Sequence, residues 1–156
     1  MIDIVARYLE VVYPHIPVLT ILIPTATAFA LPLIAIATGH RRVWEFVTFI
    51  AMAIVALFNT YTFFYLYRTG ERIVYELGGW PAPIGIVFEI DLFSSFLGML
   101  VSIVMLFIAL YSFSYMDYEP RLYTYYTLLL AIEAGMLGCL YTADFFNLFV
   151  MLEVLS

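Results

Sequence analysis

Residues 16–38 read IPVLTILIPTATAFALPLIAIAT, without one charged side chain. A helix of about 20 apolar residues crosses a hydrocarbon core of about 30 Å, so this stretch predicts a membrane span. Gly39-His40-Arg41-Arg42 ends it. Three further apolar runs of spanning length follow, at 46–67, 92–116 and 122–142. The second closes in the aromatic cluster Tyr61, Phe63, Phe64, Tyr65 and Tyr67. The third closes with Tyr111 and Tyr115, and the fourth opens with Tyr123, Tyr125 and Tyr126. Tyrosine collects where a membrane meets water, so these clusters are expected to mark span ends. A fifth run, 144–156, rises only ~18 Å. It is expected to be a partial helix, truncated or completed by something outside this chain. The fold class is therefore an all-α integral membrane protein of about five transmembrane helices, occupying residues 15–156.

Composition agrees. The 156 residues are 65% hydrophobic and 12% charged, with a mean hydropathy of +1.04. Soluble domains carry about 25% charged residues, so a water-facing surface could not be covered here. The cations are Arg7, Arg41, Arg42, Arg68, Arg72 and Arg121; there is no lysine, and the net charge is −6. Nucleic-acid binding needs a clustered basic surface and is excluded. Cys139 is the single cysteine, which excludes an internal disulfide or a multi-cysteine iron–sulfur site within this chain. Ala26-Thr27-Ala28 has the small-x-small look of a signal cleavage site. Asp3 and Glu10 spoil the leader, however, and the apolar run continues to Thr38, so a retained span is expected.

Residues 1–14 differ. Asp3, Arg7 and Glu10 share one helical face, with Ile4, Val5, Tyr8, Leu9 and Val12 opposite, which predicts an interfacial amphipathic segment. Between spans two and three, residues 72–77 and 84–90 have strand propensity and flank the turn Gly78-Gly79-Trp80-Pro81-Ala82-Pro83. A β-hairpin resting on the membrane surface is expected, anchored by Trp80. The arginines divide evenly between the two sides. Those in the short loops 39–45 and 117–121 act most strongly in the positive-inside rule. These loops are therefore placed in the cytoplasm, and the N-terminus and hairpin outside the cell membrane.

Ionisable side chains in hydrocarbon are costly, so each is a functional candidate. Glu133 is central in the fourth run, and Glu153 lies nine residues past Asp144 in the fifth. Both are expected about 13–14 Å below one interface, on neighbouring helices. Low dielectric and a neighbouring like charge both favour the neutral acid, which suits a proton carrier. The alternative is a protonated glutamate that only bonds a neighbouring helix. Asn59 is deep in the second span, where it could line a water path or bond across helices. Pro24 and Pro32 remove the helical donors to Thr20 and Ala28; repaired kinks or an ion site are both open. Ser94, Gly98 and Ser102, and Ala131, Gly135 and Cys139, form small-residue stripes suited to close helix packing. His15 and His40 flank the first span at opposite ends and have no metal spacing. No metal site, cofactor site or catalytic centre is expected.

Three stretches resemble the D-type subunits of Mrp cation/proton antiporters: His15-Ile16-Pro17-Val18-Leu19 through Pro24; Tyr75-Glu76-Leu77-Gly78-Gly79-Trp80-Pro81-Ala82-Pro83-Ile84-Gly85-Ile86 followed by Asp91-Leu92-Phe93-Ser94; and Asp144-Phe145-Phe146-Asn147-Leu148-Phe149-Val150-Met151-Leu152-Glu153-Val154-Leu155. The resemblance extends to antiporter-like subunits of complex I and of archaeal membrane-bound hydrogenase and sulfur-reducing complexes. It implies a subunit of about fourteen helices in two inverted five-helix units, of which this chain is the N-terminal portion. It implies that the fifth-helix glutamate, here Glu153, pairs with a lysine on a later helix and gates proton movement. Asp144, Asn147 and Asn59 are further candidates to line or support such a path. It gives Glu133 no role. It implies partners: other antiporter-like and small membrane subunits, lipid, and H⁺ or Na⁺. The missing lysines leave a second function open, that of a structural membrane subunit filling an interface in a respiratory or hydrogenase-type complex. The parent complex could itself be an oxidoreductase.

Overall fold

The computed structural model describes residues 13–81, 83–115 and 122–156. The amphipathic segment expected over 1–14 lies almost wholly outside them, as does the loop 117–121 with Arg121. After a short 3₁₀ turn, Tyr13–His15, the described elements are α1 (Ile16–Thr38), α2 (Arg41–Thr69), β1 (Ile73–Glu76), β2 (Val87–Ile90), α3 (Leu92–Tyr115), α4 (Leu122–Tyr141) and α5 (Phe145–Leu155). Helices α1 to α4 are each long and apolar enough to cross a membrane. The four expected spans and the intervening hairpin are all present. α5 has 11 residues and rises only ~16 Å.

Helix ends follow local chemistry. Gly39 takes φ 61° and its N–H donates to the Ala35 carbonyl at 3.0 Å, closing α1. The next helix begins only two residues later, at Arg41 rather than near residue 46 as hydropathy suggests. Arg41 starts it because its charge is satisfied within the helix: Nε donates to Glu45 at 2.5 Å, one turn on. Its Nη2 also donates to the Phe113 carbonyl of α3 at 2.7 Å. Asp91 and Ser94 cap α3 reciprocally. The Ser94 N–H donates to Asp91 Oδ1 at 2.7 Å, and the Asp91 N–H donates to Ser94 Oγ at 2.9 Å. Those Ser94 bonds hold the Asp91 carboxyl below its usual range. Ser94 is thus a cap. The packing stripe of α3 instead runs through Ser95, Gly98, Ser102, Met105, Ala109 and Ser112, all buried.

The chain runs up and down, so α2 and α4 point toward the hairpin while α1, α3 and α5 run away from it. α4 is the hub, touching α1, α2, α3, α5 and β2. Half of its most apolar window is buried, against 28–39% for the other spans. Small residues make this possible. A Cβ on Gly138 would meet Met151 Sδ at 2.4 Å, and one on Gly135 would meet Leu155 Cγ at 2.9 Å, so α5 lies directly on this face. On the opposite side a Cβ on Gly98 would sit 1.8 Å from the Tyr141 hydroxyl oxygen.

The hairpin pairs Ile73 with Ile90 and Tyr75 with Phe88 on one face, Val74 with Glu89 and Glu76 with Val87 on the other. The first face buries Ile73, Phe88 and Ile90 against Ile21, Val55, Leu66, Leu137 and Tyr141. The hairpin is present as expected, and its buried face closes the end of the bundle. Its period-2 pattern gives one apolar face, and an apolar face is covered by the helix ends. The Ala143 N–H adds a bond to the Val87 carbonyl at 3.0 Å, so the α4–α5 turn is pinned to the same lid. Arg72 pairs with Glu89 at 2.9 Å on the exposed side. Tyr126 is fully buried and belongs to the core, not to the interfacial belt; Tyr61, Tyr67, Tyr111 and Tyr115 are exposed as a belt requires.

Two expectations follow. Cysteines introduced at Arg42 and Glu76, on a Cys139→Ser background in membranes, should react with impermeant reagents from opposite sides; labelling from one side would contradict the up-and-down order. Gly98→Ala forces α3 from α4 or displaces Tyr141, an overpacking cost of about 1–3 kcal/mol. Its melting temperature in detergent should fall, and Tyr141→Phe in the same chain should recover part of the loss. A Gly98→Ala protein that melts like the parent would contradict the close approach.

Candidate functional site

The inward face of α4 carries Tyr126, Leu130, Glu133, Leu137 and Tyr141 at helical spacing, every one at 0% exposure. Leu130 belongs to an apolar cluster with Met52, Met105 and Ala109. Leu137 belongs to the second cluster, beneath the hairpin. Glu133 lies between the two. Neither carboxyl oxygen has a hydrogen-bond partner among the described residues. Across from it, α2 presents a continuous buried stripe of Thr48, Met52, Val55, Asn59, Thr62 and Leu66.

Asn59 is joined to α4. The Tyr141 hydroxyl donates to Asn59 Oδ1 at 2.7 Å, and both residues are fully buried. The Asn59 Nδ2 has no partner among the described residues. Tyr141 escapes sequence reasoning; it reads as one more tyrosine near a helix end, and only Gly98, the gap that admits its ring, hints otherwise. Thr48 escapes it as well. The other buried hydroxyls, on Thr20, Thr62, Ser95, Ser102 and Ser112, donate to carbonyls of their own helices. The Thr48 hydroxyl alone among them has no partner among the described residues.

Asp144 and Asn147 build the α4–α5 turn. Asp144 caps α5, its Oδ1 accepting from the Phe146 N–H at 2.9 Å. Asn147, 2% exposed, donates from Nδ2 to Thr142 Oγ1 at 2.9 Å. Glu153 is exposed on α5, on the side away from Met151 and Leu155 that face α4. The contacts Gly138–Met151 and Gly135–Leu155 place Glu153 level with residues near 136–137 of α4, about one turn nearer the hairpin than Glu133. The two glutamates are therefore neither level nor on facing surfaces. Glu133 is enclosed by the bundle, whereas Glu153 is presented outward. Ala131 and Gly135 line an apolar cleft between α1, α4 and α5. His15 approaches Tyr75 at the hairpin end, and His40 the Thr38 carbonyl at the other. Among the described residues no three His, Cys, Asp or Glu side chains converge as metal ligands would.

No family model matches the chain. Individual relatives do. It is 33% identical over 141 residues to the D-type subunit of the Na⁺/H⁺ antiporter of Alkalihalophilus pseudofirmus, covering 90% of this chain and 28% of that relative. It is 35% identical over 145 residues to the N-type subunit of the NADH-quinone oxidoreductase of Desulforudis audaxviator, covering 91% and 28%. A chain of the membrane-bound sulfane sulfur reductase, an archaeal respiratory membrane complex, superposes with a TM-score of 0.81 at 30% identity, over 89% of this chain and 28% of that one. The chain thus spans little more than a quarter of the length of these relatives. Within that span, the chain is similar in sequence to D-type subunits of Na⁺/H⁺ antiporters and to an N-type subunit of NADH-quinone oxidoreductase, and similar in sequence and fold to a chain of the sulfane sulfur reductase complex.

Proposed function

We propose that this chain works within a multi-subunit membrane complex that moves H⁺ or Na⁺, and that it contributes Glu153 to the ion path. The observation that carries this reading is the exposure of Glu153 on the apolar helix α5, a carboxyl turned away from the described bundle. A bare carboxylate facing hydrocarbon is costly, so Glu153 calls for a cationic partner from outside the described bundle. No lysine exists in this chain, and the cation must come from a neighbouring segment or subunit. Approach and withdrawal of that cation would release and recapture the proton, passing it sideways from subunit to subunit. Asp144 and Asn147 hold the α4–α5 turn and thereby the height of α5. Placement in the cell membrane with the N-terminus and hairpin outside is part of the same proposal, on the arginine density of the Arg41-Arg42 turn.

A second reading is a structural subunit that fills an interface in such a complex without moving ions itself. One substitution separates the two. Glu153→Gln keeps size and hydrogen bonding and removes the exchangeable charge, so the complex should assemble normally. In proteoliposomes carrying the whole complex, H⁺ or Na⁺ flux under its driving reaction should fall strongly. Wild-type flux in an assembled Glu153→Gln complex would establish the structural role instead.

A further inference from the structure

Four buried polar atoms on the facing surfaces of α2 and α4 have no protein partner among the described residues: Thr48 Oγ1, Asn59 Nδ2, and both oxygens of Glu133. All three residues are at 0% exposure. The large majority of buried side-chain polar atoms are ordinarily satisfied, and each unsatisfied group costs about 1–3 kcal/mol. Four on one pair of touching helices form a pattern.

Their order along the bundle is informative. α2 and α4 run in the same direction. Trp44 stacks edge-on against Tyr123 near one end, and Asn59 bonds Tyr141 nearer the other. This register sets Glu133 level with residues 51–54 of α2. Thr48 then lies on one side of it, roughly 5–9 Å away along the axis, and Asn59 on the other, roughly 8–12 Å away. Gaps of that size are bridged by one to three waters at ordinary hydrogen-bond spacing. On α1, Pro24 is buried in the same bundle and deprives the buried Thr20 carbonyl of its helical donor. An acceptor for the proton of a neutral carboxylic acid therefore lies in the same interior. At the far end of the row, the Ser112 and Tyr125 hydroxyls bond each other at 2.7 Å.

We propose that Glu133 is the centre of a hydrated proton site inside the bundle, with water linking it to Thr48 on one side and to Asn59 and Tyr141 on the other. Its ligands are water and a proton. The row runs along the bundle axis, across the membrane, whereas Glu153 faces sideways from a different helix. The site does not depend on Glu153 or on the flux assigned to it.

The test is infrared spectroscopy of the full chain in detergent, in H₂O and after transfer to D₂O. The difference between the parent protein and Glu133→Gln isolates the carbonyl stretch of the Glu133 acid. That band should be present and should move promptly to its deuterated position, because water reaches the acid. Asn59→Leu, with Glu133 intact, should slow the move by about tenfold, the cost of about one hydrogen bond. A band that stays unshifted in folded protein means a dry acid and overturns the proposal. Absence of a difference band means an ionised, ion-paired Glu133 and also overturns it. Exchange unaffected by Asn59→Leu removes the path assigned here. Should Glu133→Gln fail to fold, Glu133→Asp keeps the acid and identifies the same band by its displacement.

Discussion

One hydrogen bond organises the interior: the Tyr141 hydroxyl donating to Asn59 Oδ1 at 2.7 Å. Lipid offers no water to a stray hydroxyl or amide, and here the Tyr141 hydroxyl and the Asn59 side-chain carbonyl oxygen satisfy each other. This bond ties α4 to α2, and it can form only because Gly98 of α3 leaves room for the ring. Three helices are thereby held at one point. The ring and the residues around it, Ile21, Val55, Leu66 and Leu137, form the surface on which the hairpin's buried face sits. The hairpin in turn holds the α4–α5 turn through Ala143 and Val87. The height and facing of α5, and hence of Glu153, descend from that arrangement.

The two glutamates show how far helix environment outweighs residue type. Glu133 is enclosed between two apolar layers on the most buried helix. Glu153 is turned outward on a helix that is buried only on its Asn147 side. The same carboxyl group is therefore enclosed by the bundle in one place and exposed on a helix surface in the other. Equal distance from the turn in residue count suggested a shared site. The offset is set by how α5 seats on α4, with Met151 against Gly138 and Leu155 against Gly135, and not by residue count from the turn.

The membrane fold was legible because hydrocarbon imposes a long, charge-free run that no other constraint mimics. Four spans, the partial fifth and the hairpin could all be read from residue order. Boundaries were less legible where a charge is satisfied locally: Arg41 looks like loop, yet its pairing with Glu45 brings it into α2. Tyrosine misled in the same way. Tyr111 and Tyr115 face outward, while Tyr126 and Tyr141, of identical type at similar distances from span ends, are core residues. Rotation about the helix axis decides between these fates. In a helix that is apolar all round, no polar stripe marks which way is in. For the same reason Glu133 was visible as a candidate, but the buried, unpartnered hydroxyl of Thr48 was not.

The most direct test of this account is a double-mutant cycle on Tyr141→Phe and Asn59→Leu, read as unfolding free energy of the chain in detergent. Residues in one hydrogen-bond network couple by about 0.5–3 kcal/mol, whereas independent sites add. If the bond holds α2, α3 and α4 together as described, each single substitution should destabilise the protein, and the double variant should lose clearly less than the two losses combined. Simple additivity, with no measurable coupling, would mean that Tyr141 and Asn59 do not meet and that the bundle interior is organised differently.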